Sequence, residues 1–305
     1  MHNPLTILLY HGVSSESNIG IENYSGKHIN TKIFENQISY ISKNCNVLTM
    51  DEVVDIHNQG SEYPENAVAV TFDDGFRNNS TEAQPILEKY KVPAIFYVTS
   101  GIIGTNIMFW VDSLEDCINN STVASITLEL DSKRTFFLEN NVQKLKALIE
   151  IKSYCKKTTI EEKNRIIKDL TEQTMWLPKV SSSKNYEKLR WDELRNLAAS
   201  NLFTVGGHSF YHDVLTSFND DKKLEIDIKK SIELLESNLS TSIMHYAYPE
   251  GQEEHYNLKV IDTMRKYGIV CSPSAIHGIN SGEYDLFNLR RIMVGINDVK
   301  FPFRI

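Results

Sequence analysis

The chain has 305 residues, 41% apolar and 24% charged, with 14 Gly and 8 Pro; this excludes a disordered or fibrous chain and predicts one large α/β domain or two small ones. A formal net charge of −8 argues against a nucleic-acid surface and against a strongly anionic polymer as partner, because phosphate binding needs clustered Lys and Arg. No apolar run approaches the roughly 18 residues of a membrane span, no secretory leader is visible over residues 1–4, and Cys45, Cys117, Cys155 and Cys271 form no CxxC pair, so the expected location is the cytoplasm.

Taken in order, apolar runs predict strands at residues 6–10 and 47–50, with a helical pattern over 33–41 between them. A strand follows at 68–72, a helix at 83–90 and a strand at 94–99. The stretch from about 105 to 188 is longer than one crossover needs. It holds a hairpin, 125–130 returning through 135–139, and helical patterns over 142–155 and 160–173, and its Lys and Glu content predicts a solvated outer face. It is expected to be an insertion lying beside the main fold within a single domain spanning 1–305. Trp110 and Trp191 bracket this insertion and are candidates either for substrate contact or for anchoring it. Beyond it come a strand at 203–206, an amphipathic stripe of Leu224, Ile228, Ile232, Leu235 and Leu239, and strands at 245–248, 269–271 and 292–294. Strands alternating with helices predict parallel βαβ units, whose chemistry collects at the C-terminal ends of the strands.

Thr71-Phe72-Asp73-Asp74-Gly75 closes the third of these strands. Adjacent carboxylates repel, so both stay ionised cheaply only beside a cation, which a divalent metal would supply. Asp-Asp-Gly is also good turn chemistry. About 135 residues on, His208-Ser209-Phe210-Tyr211-His212 sets two imidazoles i, i+4 behind Val205-Gly206-Gly207. That spacing places both rings on one side of a turn. Two imidazoles and one carboxylate make a three-ligand site for Zn²⁺, or a similar ion such as Co²⁺ or Ni²⁺, with a position open for water. The remaining carboxylate is then free to act as a base. Asp213 follows as a candidate partner for one imidazole.

TFDDG followed by HS-x-x-H resembles the carbohydrate esterase family 4 polysaccharide deacetylases, which share the NodB homology domain. Tyr10-His11 resembles the opening of the branch with an N-terminal Tyr-His motif, and the likeness continues through Tyr246-Ala247-Tyr248-Pro249-Glu250-Gly251 to Leu289-Arg290-Arg291-Ile292. The resemblance implies an irregular (β/α) barrel of seven or eight strands. It also implies metal ligands Asp74, His208 and His212, and Asp73 as general base. His11 is implied as the acid for the departing amine, with His277 as runner-up. Ala247 stands where many members carry an arginine that orients the base; Arg291 is expected to reach Asp73 instead, with Arg290 as the alternative. Tyr248 and Pro249 are candidate walls of a sugar pocket. Glu250 replaces a common tyrosine and is expected to add negative charge at the mouth.

The implied reaction is metal-dependent removal of acetyl from an N-acetylated saccharide or a lipid- or nucleotide-linked sugar precursor. O-deacetylation or deformylation would use the same site, and a catalytically silent carbohydrate-binding protein is the reading from another class.

Overall fold

The computed structural model describes residues 3–176, 183–282 and 284–295. Ten strands and nine α-helices follow one another along these residues. First come β1 (Leu5–Tyr10), β2 (Gly12–Ser14), β3 (His28–Asn30), α1 (Thr31–Asn44), β4 (Asn46–Leu48), α2 (Met50–Asn58), β5 (Ala67–Phe72), α3 (Gln84–Tyr90) and β6 (Ala94–Val98). The insertion supplies α4 (Trp110–Asn119), β7 (Ser125–Glu129), β8 (Lys133–Phe137), α5 (Asn141–Cys155) and α6 (Ile160–Thr174). The chain finishes with α7 (Trp191–Ala198), β9 (Phe203–Gly207), α8 (Asp221–Leu239), α9 (Leu258–Lys266) and β10 (Ile292–Met293).

β5 and β6 are apolar and buried along their whole length, as strands of a parallel sheet covered on both faces must be. The main sheet runs β10-β1-β5-β6-β9, with β4 also paired to β5, and every pairing in it is parallel. Parallel strands end on the same rim. Tyr10, Phe72, Val98 and Gly207 therefore deliver His11, Asp73-Asp74, Thr99 and His208 to one edge of the sheet.

The fold is α/β with a mostly parallel central sheet and a largely helical insertion. The sheet has six strands. Segments 245–248 and 269–271, predicted as strands, are held by single parallel bridges, Gly207 to Tyr246 and His245 to Cys271. Pro249, which has no N–H to donate, ends the first of them. Met50, predicted as a strand end, opens α2, because Thr49 caps that helix reciprocally with Glu52. Ala83 closes a π-helical turn, and α3 proper starts one residue later.

The insertion has apolar packing of its own. Leu114 and Ile118 of α4 pack with Ile126 of the hairpin, Leu148 and Ile151 of α5, and Ile166 and Leu170 of α6 in a cluster separate from the core around the sheet. Residues 177–182 of the predicted insertion lie outside the described residues.

The β2–β3 pair was not visible in the sequence. A side chain on Gly12 would place its Cβ 1.8 Å from Nδ1 of His28, so only glycine lets β3 lie against β2. That contact brings Lys27 up beside the end of β1.

Candidate active site

At the rim, ligand atoms of Asp74, His208 and His212 all lie within 4.8 Å of one another, and all three residues are buried. Asp74 Oδ1 is 3.1 Å from His212 Nε2 and 3.4 Å from His208 Nε2. A tetrahedral site with bonds of about 2.0–2.1 Å has edges of roughly 3.3 Å, so the donors stand at the separations that a zinc-like ion requires. His208 Nδ1 lies 2.9 Å from the carbonyl oxygen of Ala247 and donates to it, which leaves Nε2 as the ligating atom. Burial opposes the Asp74 charge, but the two imidazoles outweigh it and hold the carboxyl well below its ordinary range. Two nitrogens and an anionic oxygen form a donor set for a divalent transition metal.

Asp73 faces a different partner. Arg291, wholly buried, donates from Nη1 to Oδ1 and from Nη2 to Oδ2, both at 2.8 Å. Its Nε donates to Ser274 O at 2.6 Å and Nη1 also reaches Thr71 Oγ1 at 3.2 Å, so the fork is fixed at both ends. Arg290 points away, with its side chain on His277 O.

The two carboxylates, His11, His208 and His212 line one pocket of about 520 Å³, with Lys27, Tyr248 and Glu250 in its walls. A larger groove of about 980 Å³ lies on the insertion between the hairpin and α5. It holds none of the candidate catalytic residues, so chemistry and not size singles out the smaller pocket. His11 is fixed through its carbonyl, which accepts from Asn79 Nδ2 at 2.6 Å, and its buried Nδ1 has no hydrogen-bond partner among the described residues. Burial lowers the His11 pKa, opposed by the charges of Asp74 and Asp73. His277 is exposed and outside the pocket.

Backbone strain gathers here. Asp74, Ser209, His212 and Glu250 all have positive φ, between 60° and 79°, a conformation that costs a non-glycine residue of order 1–3 kcal/mol. Gly206 and Gly207 meet a related demand. A Cβ on either would lie 2.6 Å from the Tyr97 ring or 2.5 Å from that of Tyr246.

Several expected neighbours are elsewhere. Trp110 starts α4 inside the core of the insertion, and Trp191 starts α7 against the main core; neither lines the pocket, nor does the buried Pro249. Asp213 pairs with Lys163 of α6 rather than with an imidazole. Glu250 does lie at the pocket, but its charge is matched by an ion pair with Lys156, the residue that caps the C-terminus of α5. Against the effect of burial, Lys156, Lys152 and His212 pull its pKa down to about 2. The expected surplus of negative charge at the mouth is therefore absent.

The sequence reading missed the contribution of the insertion. Ile149 and Lys152 of α5, Lys156 at its C-cap and Val111 of α4 form part of the pocket wall. It also missed Lys27, which pairs with Asp112 of α4, itself bound to Lys188. The i, i+4 spacing of Lys152 and Lys156 was a visible signal of a shared face, but nothing in the sequence showed which way that face turned.

Among solved structures the chain is similar to IcaB from Ammonifex degensii (18% identity, TM-score 0.63, covering 96% of this chain and 92% of that one). It is likewise similar to the Streptococcus pyogenes deacetylase PplD in complex with acetate (16% identity, TM-score 0.60, 97% and 95%). These likenesses establish the fold. In sequence, 85 residues are 34% identical to the poly-beta-1,6-N-acetyl-D-glucosamine N-deacetylase of Staphylococcus aureus (strain N315), covering 28% of each chain. Another 31% identity runs over 101 residues of YxkH from Bacillus subtilis (strain 168), covering 33% of each. The matched stretches thus span a third or less of these curated relatives. A family model for polysaccharide deacetylase matches residues 60–272, well over half of the chain and inclusive of the strand ends that carry Asp73, Asp74, His208 and His212: the chain belongs to the polysaccharide deacetylase family.

Proposed function

We propose that the protein is a metal-dependent deacetylase that hydrolyses the N-acetyl group of a saccharide or saccharide precursor. The observation that carries this reading is the division of labour between adjacent carboxylates. Asp74 faces two imidazoles, while Asp73 is held by Arg291 in the same pocket. The substrate class is supported by the names of the similar staphylococcal enzymes. An intact donor triad beside an intact carboxylate–arginine pair favours catalysis over a silent carbohydrate-binding protein.

Asp74, His208 and His212 would hold Zn²⁺, or Co²⁺ or Ni²⁺ in its place, which would supply Lewis acidity at the acyl carbonyl and a lowered pKa for a water. Asp73 takes the proton of the attacking water, and Arg291 keeps its carboxylate aimed while that proton moves. His11, on the neighbouring strand end, gives a proton to the departing amine. Tyr248 and Glu250 shape the sugar side of the pocket; Pro249 fixes the turn between them. We read the six-stranded sheet and its single bridges as an irregular (β/α) barrel with residues 105–188 inserted beside it. We place the protein in the cytoplasm on the strength of its four unpaired cysteines.

The Asp73→Asn variant tests the assignment. Acetate release should fall by about 10²–10⁴-fold, the usual worth of a general base, while metal content stays at the wild-type level. Unchanged acetate release would remove Asp73 from the mechanism.

A further inference from the structure

The pocket wall built by α5 carries two cations one turn apart, and their situations differ. Lys156 is spent on Glu250. Lys152 has no carboxylate within 4 Å among the described residues; its ammonium donates to the hydroxyl of Tyr24 at 3.4 Å and lies 5.6 Å from the centre of that ring. Both Lys152 and Tyr24 line the pocket, with Ser25 next to them. Because the Tyr24 oxygen accepts from Lys152, its own proton remains to be donated. This end of the pocket therefore presents an ammonium and two hydroxyls. The carboxylates on the floor are committed, Asp73 to Arg291 and Asp74 to the imidazole pair, and Glu250 is matched by Lys156.

An ammonium with no carboxylate within 4 Å among the described residues, at the wall of a partly enclosed pocket, favours an anionic oxygen group over a neutral hydroxyl, because the charge-assisted bond is the stronger one. We infer that Lys152 and Tyr24 form an anion-recognising subsite, and that the preferred substrate is an N-acetylated sugar bearing a phosphate or carboxylate. This rests on the deacetylase reading of the same pocket and adds the substrate class to it. The net charge of −8 is no obstacle: it repels a polyanion along the surface, not one anionic group seated beside a local cation.

The test compares acetate release from N-acetylglucosamine, N-acetylglucosamine 1-phosphate and N-acetylmuramic acid, so that neutral, phosphate and carboxylate forms are read side by side. In the wild type kcat/KM should favour an anionic form by about tenfold or more, mainly through KM, the scale of one hydrogen bond to a charged group. Whichever anionic form leads identifies the source of the charge. In Lys152→Met the preference should collapse towards one, in Lys152→Arg it should persist, and in Lys146→Met, which removes a charge from another face of α5, it should not change. Equal kcat/KM for all three sugars, or an undiminished preference in Lys152→Met, would overturn the inference while leaving the deacetylase reading intact. If no sugar is hydrolysed, calorimetric binding of the same three separates the two ideas. Lys152-dependent binding of an anionic form supports the subsite although the deacetylase reading fails, and absence of such binding overturns the subsite as well.

Discussion

Arg291 reaches the Asp73 carboxylate from 218 residues away, and both residues are buried. A buried ion pair adds little net stability over an apolar replacement, but removing one partner strands the other charge and costs about 3–5 kcal/mol. Arg291→Met should therefore lower the unfolding free energy by about 3–5 kcal/mol, read from urea melts. The double variant Arg291→Met, Asp73→Asn should recover part of that loss. A loss below about 1 kcal/mol in the single variant would mean that the pair is not buried as described. The neighbouring Arg290 could be told from Arg291 only with the fold in hand. The bridge between His277 and Arg291 sets the register, and alternation along an extended chain turns one arginine inward and the next outward. Ala247, which has no group to reach Asp73, instead offers its carbonyl to His208.

At the scale of elements, the Asp74-His208-His212 cluster and its neighbour Asp73 were legible because they follow the ends of apolar strands, where a change of local pattern marks them. Residues 68–72 and 203–206 read as strands from their own composition, and the five helices with a clear periodicity were located to within a few residues. Four others were not: α2, α4, α7 and α9 have 8 to 10 residues each, a length at which periodicity does not reliably stand out from chance, although it did for the seven residues of α3. For Trp110 and Trp191 the sequence left substrate contact and anchoring both open; each opens such a short helix and packs against an apolar core, away from the pocket. The ion pair of Glu250 with Lys156 joins elements 94 residues apart, a distance at which the sequence carries no signal. Gly207 tests how an element positions the site. A methyl group there pushes on the Tyr246 ring, whose hydroxyl accepts from Ser209 N at 2.7 Å, inside the loop that carries His208 and His212. Gly207→Ala should weaken zinc binding by about 10–100-fold, the range found when groups supporting metal ligands are lost. Competition with a chromogenic chelator measures this, and unaltered affinity would show that the loop tolerates the displacement.

For the whole molecule, the β2–β3 pair, α4 and α5 join the sheet to the insertion around one pocket, and a buried histidine lies in that junction. His28 accepts at Nδ1 from Asn78 Nδ2 at 3.0 Å, packs against Phe76 and faces Lys27 nearby. Burial first, and then the Lys27 charge, push its pKa well below 6.5. The unfolded chain binds this proton below about pH 6.5 and the native protein does not, so stability falls as pH drops through that value. Between pH 7.5 and 5.5 the group should cost about 1.4 kcal/mol, and the loss should shrink in His28→Gln; equal pH slopes in the two proteins would assign the acid sensitivity to other groups. The account as a whole requires one divalent ion per chain at Asp74, His208 and His212, and acetate release that depends on it. The decisive measurement is acetate release by chelator-stripped protein as zinc or cobalt is added back. Activity should climb linearly and break at one ion per chain, with no climb in Asp74→Ala. Acetate release that is complete without metal, or absent at every metal loading from N-acetylated sugars, would contradict it.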